Sequence, residues 1–273
     1  MQQHESKGER AVPAMSGSKS HMMAQFWSER ARLYGHDPRA NTNDIWLREV
    51  EINYVNRVFQ ENQIATAMDF GCANGYTTHR LAKLNTRTRF TGIDINREMI
   101  AAAQARLDSK PLSNVEFRLS DIRAAKSGER FDLIYAIRVF QNMENLQSQK
   151  SNFDVLETLL VSGGLLLCIE SYLDGYIRLN NDRAALELPP LPIHAHLTLL
   201  TDEFDEYASN RMQLVRKDHL SSSYYLVTRL LYSYIAKINA EPIDYNHPIH
   251  QAAALIPQIG EYGPQRASLY RKG

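Results

Sequence analysis

Cysteine is nearly missing from this chain: Cys72 and Cys168 are the two among 273 residues. Two thiols cannot build a disulfide framework or a four-cysteine zinc site, and both lie in the apolar or turn contexts of reduced thiols. A cytoplasmic location is expected. Net charge is missing as well, because Lys+Arg and Asp+Glu each number 31. With no basic stripe, nucleic acid is not an expected partner. No apolar run reaches membrane-spanning length and no charged-then-apolar leader opens the sequence, so no membrane partner is expected either. No metal is expected, and no internal repeat is present. A monomer or homodimer fits these bounds.

Apolar residues make up 44% of the chain, enough for a substantial core. The informative stretch is Met68-Asp69-Phe70-Gly71-Cys72-Ala73-Asn74-Gly75. The run Ile64 to Met68 before it reads as a buried strand, and a helical pattern from Tyr76 to Leu84 follows. The glycines therefore sit in a strand-to-helix turn, where backbone approaches a ligand closely and helix N–H groups are free. Ala73 tolerates this turn if its φ stays negative. A nicotinamide or flavin fingerprint fails, since Ala73 and Tyr76 stand at two of its three glycine positions, and no Lys-Ser/Thr pair makes a P-loop.

The alternation continues: a strand at Thr88 to Asp94, an Asn96-capped helix from Arg97 to Leu107, and a strand at Val115 to Leu119 before Ser120-Asp121. A strand at Phe131 to Ile137, a helix over Gln147 to Leu160, a Gly163-Gly164 turn and a strand at Leu165 to Glu170 follow. Repeats of this length predict an α/β fold with a doubly wound, mostly parallel sheet. Before them, Phe26 to Gly35 reads as a short helix with Phe26, Trp27, Arg30 and Tyr34 on one face. Asn43 or Asp44 caps a second helix through Phe59, on which Arg48 and Glu51 either face the pocket or, the preferred reading, form an exposed pair. After Glu170 the pattern breaks. A short helix at Asp182 to Leu188, a helix opened by Thr201, a strand within Met212 to Leu220, an amphipathic segment from Tyr224 to Ile238 and a last strand at Gln265 to Arg271 are expected. The domain reading is a disordered tail over 1–21, a helical lid over 22–62, and one domain over 63–273 with substrate-pocket insertions about 172–200 and 221–262.

The stretch Asp69 to Gly75 resembles motif I of class I S-adenosylmethionine-dependent methyltransferases, with Ala73 in place of the middle glycine. Gly92-Ile93-Asp94 resembles the second motif, Ser120-Asp121-Ile122 the adenine corner, Phe131-Asp132-Leu133-Ile134 the strand-four motif, and Ser162 to Leu166 the turn before strand five. The resemblance covers roughly 26–207. It implies a seven-stranded Rossmann-like methyltransferase fold, with a helical and loop insertion before an antiparallel last strand. It also implies S-adenosyl-L-methionine as cofactor, held by Asp69, Gly71, Ala73, Gly75, Asp94, Ile95, Asp121, Ile122 and Ile137, with Trp27 and Tyr34 on the lid. Asp94 would take the ribose diol, since it follows Asp69 by 25 positions, near the ~20 of a ribose-binding acid. Asp121 would accept from the adenine amine, with Ile122 on the ring, and Asp69 would reach the methionine amino group through water. The plain alternative is that each acid caps the helix after its strand.

Four further segments, Trp27 to Gly35, Arg138 to Met143, Glu170 to Gly175 and Ile259 to Gly263, resemble small-molecule methyltransferases of bacterial biosynthetic clusters. The implied acceptor is a small or carbohydrate-like molecule, methylated on oxygen or nitrogen. A hydroxyl acceptor needs a base, for which His194, His196 and His219 are the candidates; His194 and His196 alternate as strand residues do. Arg138 either clamps an anionic group of the acceptor or pairs with Glu170, and Tyr224 and Tyr225 line the acceptor pocket or pack the core. Two other functions stay open: a non-catalytic S-adenosylmethionine-binding partner protein, and a nicotinamide reductase.

Overall fold

A computed structural model describes residues 19–124 and 128–273. Helix α1 (Lys19–Tyr34) and α2 (Ile45–Glu61) precede the sheet. Then come β1 (Thr66–Phe70), α3 (Tyr76–Leu84), β2 (Arg89–Asp94), α4 (Arg97–Ser109), β3 (Val115–Leu119) and β4 (Phe131–Ile137). They are followed by α5 (Leu146–Thr158), β5 (Leu160–Ser171), α6 (Leu173–Ala185), α7 (Asp202–Arg211) and β6 (Gln213–Asp218). The chain closes with α8 (Ser222–Tyr225), a π-helical stretch (Leu226–Leu231), α9 (Tyr232–Ile238), α10 (Pro248–Leu255) and β7 (Gln265–Arg271).

The seven strands form one sheet in the order β3-β2-β1-β4-β5-β7-β6. Strands β1 to β5 pair in parallel, and β7 runs antiparallel between β5 and β6. The order reverses direction at β1/β4, which opens a crevice at the carboxyl ends of those strands. The central strands are apolar on both faces because both are covered. Leu133, Tyr135, Leu165 and Leu167 pack with Val55 and Val58 of α2 and Leu81 of α3. Ile134, Ala136, Leu166 and Cys168 pack with Phe153 and Leu156 of α5 and Phe204 of α7. The expected α/β doubly wound, mostly parallel seven-stranded sheet is the fold observed.

Local chemistry sets several boundaries. Asp44, rather than Asn43, caps α2 by accepting from Leu47 N at 3.1 Å, and Asn96 caps α4 by accepting from Met99 N at 2.9 Å. Thr201 precedes α7 without a side-chain cap bond. Strand β5 begins at Leu160 rather than Leu165, because the Gly163-Gly164 pair forms an irregularity inside the strand instead of a turn before it.

The expected helix over Asp182 to Leu188 is instead α6, which starts directly after β5. Gly175 hides this helix from a sequence reading, since glycine weakens helices. Its use is close packing: a Cβ there would lie 2.5 Å from both Gly263 O and Pro264 Cα. Gly175→Ala should therefore lower stability by about 1–3 kcal/mol by overpacking. Chemical denaturation checks this, and an unchanged or raised midpoint would refute it. The tail expected over 1–21 is partly corrected: residues 19–21 are helical in α1, and residues 1–18 lie outside the described residues.

Candidate functional site

The glycine turn lies between β1 and α3, at the reversal point of the sheet. Gly71 N and Cys72 N both donate to Ile93 O at 2.9 Å, which ties the turn to β2. Gly71 has φ +76, and an added Cβ would lie 2.6 Å from Val139, so the loop after β4 packs directly on the turn. Gly75 stands at the start of α3 with no side-chain cap, which leaves the first N–H groups of that helix to a ligand. Ala73 departs from expectation: its φ is +47. A Cβ in the left-handed region costs about 1–2 kcal/mol. Contacts hold it there, since Ala73 N donates to Asp94 Oδ2 at 2.9 Å and its methyl packs with Ala31, Ala40 and Met99.

Asp94 turns toward this loop. Its other oxygen accepts from Asn96 N at 2.8 Å. Both oxygens thus serve backbone, the helix-entry role open for it from sequence. An ionised carboxylate offers about four acceptor positions, and the backbone N–H groups here do not use all of them. Burial raises the Asp94 pKa, against the lowering effect of these backbone N–H groups. Asp69 is buried below the turn and accepts from Thr78 Oγ1 at 2.6 Å. Burial pushes its carboxyl up to about 7. At the third strand, Asp121 accepts from Arg123 N at 2.9 Å and pairs with the Arg123 guanidinium. Ile122 is 2% exposed within the core, Ile95 is 62% exposed, and Ile137 is half-buried.

The N-terminal helix lies over the turn. Trp27 and Tyr34 pack on the Ala73–Met99 cluster. Asn74 Nδ2 donates to Gly35 O (3.0 Å) and Asp37 O (2.8 Å), latching the end of α1 to the loop.

Sequence reading preferred the wrong face for two residues of α2. Arg48 and Glu51 are buried, at 4% and 0% exposure, rather than an exposed pair. Their spacing among Leu47, Val50, Ile52 and Val55 was the available signal, since it puts them on the buried arc. Arg138, at φ +57 just past β4, donates to Glu51 Oε2 at 3.2 Å. Gln265 Nε2 of β7 donates to the other Glu51 oxygen. Arg138 therefore pairs with Glu51 and not with Glu170. Glu170 instead accepts from Val139 N (2.8 Å), Phe140 N (2.9 Å) and Gln141 N (3.0 Å), fixing the loop that carries Arg138.

Two of the candidate histidines, His194 and His196, stack on each other at 5.6 Å, and the third, His219, stands on a different segment. His194 and His196 lie in a turn rather than a strand, with Leu197 N donating to His194 O at 2.9 Å. Pro189, Pro190 and Pro192 just before this turn lack the N–H groups that a strand ladder needs. His196 stacks on Phe26 of α1 at 4.4 Å, and burial lowers its pKa to about 4. His219 follows β6; its Nδ1 is buried without a partner among the described residues, and burial lowers its pKa. Tyr224 and Tyr225 are buried; Tyr224 Oη donates to Asp44 and contacts His250 Nδ1 at 3.0 Å.

Solved structures share this fold. N-methyltransferase NodS from Bradyrhizobium japonicum, in complex with S-adenosyl-L-homocysteine, superposes with a TM-score of 0.57 at 14% identity, covering 94% of this chain and 99% of NodS. Magnesium protoporphyrin IX methyltransferase from Synechocystis PCC 6803 with bound SAH gives 0.60 at 12% identity, covering 93% and 99%. At such identities the likeness is one of fold. Among curated proteins, malonyl-[acyl-carrier protein] O-methyltransferase of Bacillus cereus is 33% identical over 108 residues, 40% of this chain and 38% of that relative's length. Trans-aconitate 2-methyltransferase of Rhizobium rhizogenes is 24% identical over 245 residues, 87% of this chain and 80% of the relative. A family model described as methyltransferase domain matches residues 61–222, well over half of the sequence, and the chain belongs to that methyltransferase family.

Proposed function

We propose that the whole protein is an S-adenosylmethionine-dependent methyltransferase that methylates an oxygen or nitrogen of a small-molecule acceptor. The observation that carries this reading is Asp94, half-buried at the end of β2 with its carboxylate turned onto the glycine turn and acceptor capacity to spare. Gly71, Ala73 and Gly75 form the cradle, Asp69 reaches the methionine ammonium through water, and Asp121, Ile122, Ile95 and Ile137 border the adenosine side. Trp27 and Tyr34 close over the turn as a lid. The cofactor supplies a methyl group already activated on a sulfonium; the protein's work is to orient the acceptor and exclude water. The acceptor side is built from α2, Arg138 and the 172–262 segment, with Tyr224 and Tyr225 supporting its wall. A cytoplasmic setting accords with the two free, buried cysteines.

A hydroxyl acceptor requires a base. Of the three histidines, His196 with a pKa near 4 is a weak base at neutral pH. His194 and His219 remain for that role. An acceptor atom that arrives unprotonated needs none of them.

Calorimetric titration with S-adenosylhomocysteine, followed by a metabolite screen for transfer of labelled methyl, tests this function. Tight cofactor binding with no transfer to any acceptor would favour a non-catalytic binding protein. The buried Asp69 carboxyl adds a pH test. With a folded pKa of about 7, its ionised fraction falls about tenfold between pH 8 and pH 6. If the ionised form receives the ammonium, S-adenosylhomocysteine should bind about tenfold more weakly at pH 6 than at pH 8. Asp69→Asn should flatten that slope. A flat profile in the unaltered protein would remove Asp69 from this role.

A further inference from the structure

Buried guanidinium groups converge where α2 faces the carboxyl ends of β1 and β4, with too few carboxylates in contact to match them. Arg48 donates Nε and Nη2 to Thr77 Oγ1 (3.2 and 3.0 Å), a neutral partner. Its Nη1 is buried with no partner among the described residues. Arg138, with its side chain 18% exposed, touches Glu51 through a single 3.2 Å bond. Arg30 is engaged by the carbonyls of Ala40 and Arg39 and the side-chain oxygen of Asn43, again without a carboxylate.

The three groups feel one another. Burial first, and then the Arg138 charge, lowers the pKa of Arg48 to about 10, and the same two causes act on Arg30 in the same direction. The Glu51 and Asp69 charges act the other way on Arg48 without reversing this. Asp69 is bonded to Thr78 and Glu170 to three backbone N–H groups, and burial pushes them up to about 7 and about 8. Buried N–H groups on a cation without an acceptor are costly. A site with that surplus is built to receive an anion.

The cofactor does not remove the surplus. S-adenosylmethionine carries a sulfonium, an ammonium and one carboxylate, so it adds net positive charge to the pocket. The remaining anion must come with the other substrate. We propose, resting on the methyltransferase reading above, that the acceptor is a small molecule bearing a carboxylate, which Arg138 and the free edge of Arg48 bind. The planar guanidinium fork suits a carboxylate's two oxygens. Glu51 holds Arg138 in place from behind, and Glu170 fixes the loop on which Arg138 stands; both are positioning residues. A second carboxylate on such an acceptor would offer an oxygen that is ionised at neutral pH, and would ask no base of the histidines.

The test uses the full chain saturated with S-adenosylhomocysteine. Succinate, glutarate and tricarballylate are titrated by calorimetry beside their amides and beside glycerol phosphate. At least one acid should bind, with its amide at least tenfold weaker. Arg138→Gln should weaken the acid at least tenfold while the difference between acid and amide shrinks. Amides binding as tightly as acids, no acid binding at all, or binding of the phosphate alone would each overturn the inference while leaving the cofactor site intact. Failure of the protein to take up S-adenosylhomocysteine would instead bring down the methyltransferase reading, and this inference with it. The comparison of acid with amide on the unaltered protein does not depend on a variant folding.

Discussion

Glu51→Ala should lower the stability of this protein by about 3–5 kcal/mol, the range for removing one partner from a buried ion pair. Glu51 lies inside α2 at 0% exposure and joins three distant parts of the chain. Arg138 donates to one of its oxygens at 3.2 Å and Gln265 to the other. With the carboxylate gone, the half-buried Arg138 charge and the buried Gln265 amide lose their acceptor, and Arg48 loses the Glu51 charge that acts on it. Glu51→Gln should cost less, because it keeps a hydrogen-bonding group in place. Removing Arg138 as well should recover part of the loss, since the uncompensated cation goes with it. Urea denaturation of the single and double variants measures this. A loss below about 1 kcal/mol for Glu51→Ala would mean that water or a shifted side chain compensates the site, as at a surface pair, in conflict with the full burial of Glu51.

Asp94→Ala should weaken S-adenosylhomocysteine binding by at least about tenfold. Two charge-assisted hydrogen bonds from a diol to a carboxylate are worth about 1.5–3 kcal/mol each, and 1.4 kcal/mol is already a factor of ten in affinity. The structure adds a second contribution. Asp94 accepts from Ala73 N, which holds a non-glycine residue at φ +47 in the middle of the turn. Without that anchor the turn is free to relax away from its binding conformation. Asp94→Asn removes the charge that strengthens the diol bonds and keeps one of the two acceptors, so its loss should fall short of that of Asp94→Ala if the Ala73 N anchor is retained. Affinity within twofold of the unaltered protein for Asp94→Ala would remove the residue from the cofactor site.

The relatives bear on the acceptor only loosely. The stretch shared with the Bacillus cereus protein spans well under half of that relative, and the likeness to trans-aconitate 2-methyltransferase, though long, stands at 24% identity. The acceptor inference therefore stands on Arg48, Arg138 and Glu51 themselves, and the acid-against-amide comparison decides it.

What the chain reveals without its fold is whatever depends on neighbours a few residues apart. The strands through Met68, Ile93, Ile134 and Leu167 are short apolar runs, and the turn at Gly71 to Gly75 is written in consecutive residues, as is the Asn96 cap. Those features determine a parallel sheet with a ligand crevice at its carboxyl edge. Tertiary structure alone decided the rest. Glu51, Arg138 and Gln265 meet across more than two hundred residues of sequence, and no local pattern announces that meeting. Gly175 reads as a helix breaker until Gly263 and Pro264 are seen against it. Ala73 sits in a left-handed conformation because Asp94 and α1 hold it there. The physical reason is the same throughout: hydrophobic period and turn chemistry are short-range, whereas the burial of a charge is settled by whichever distant group arrives to answer it.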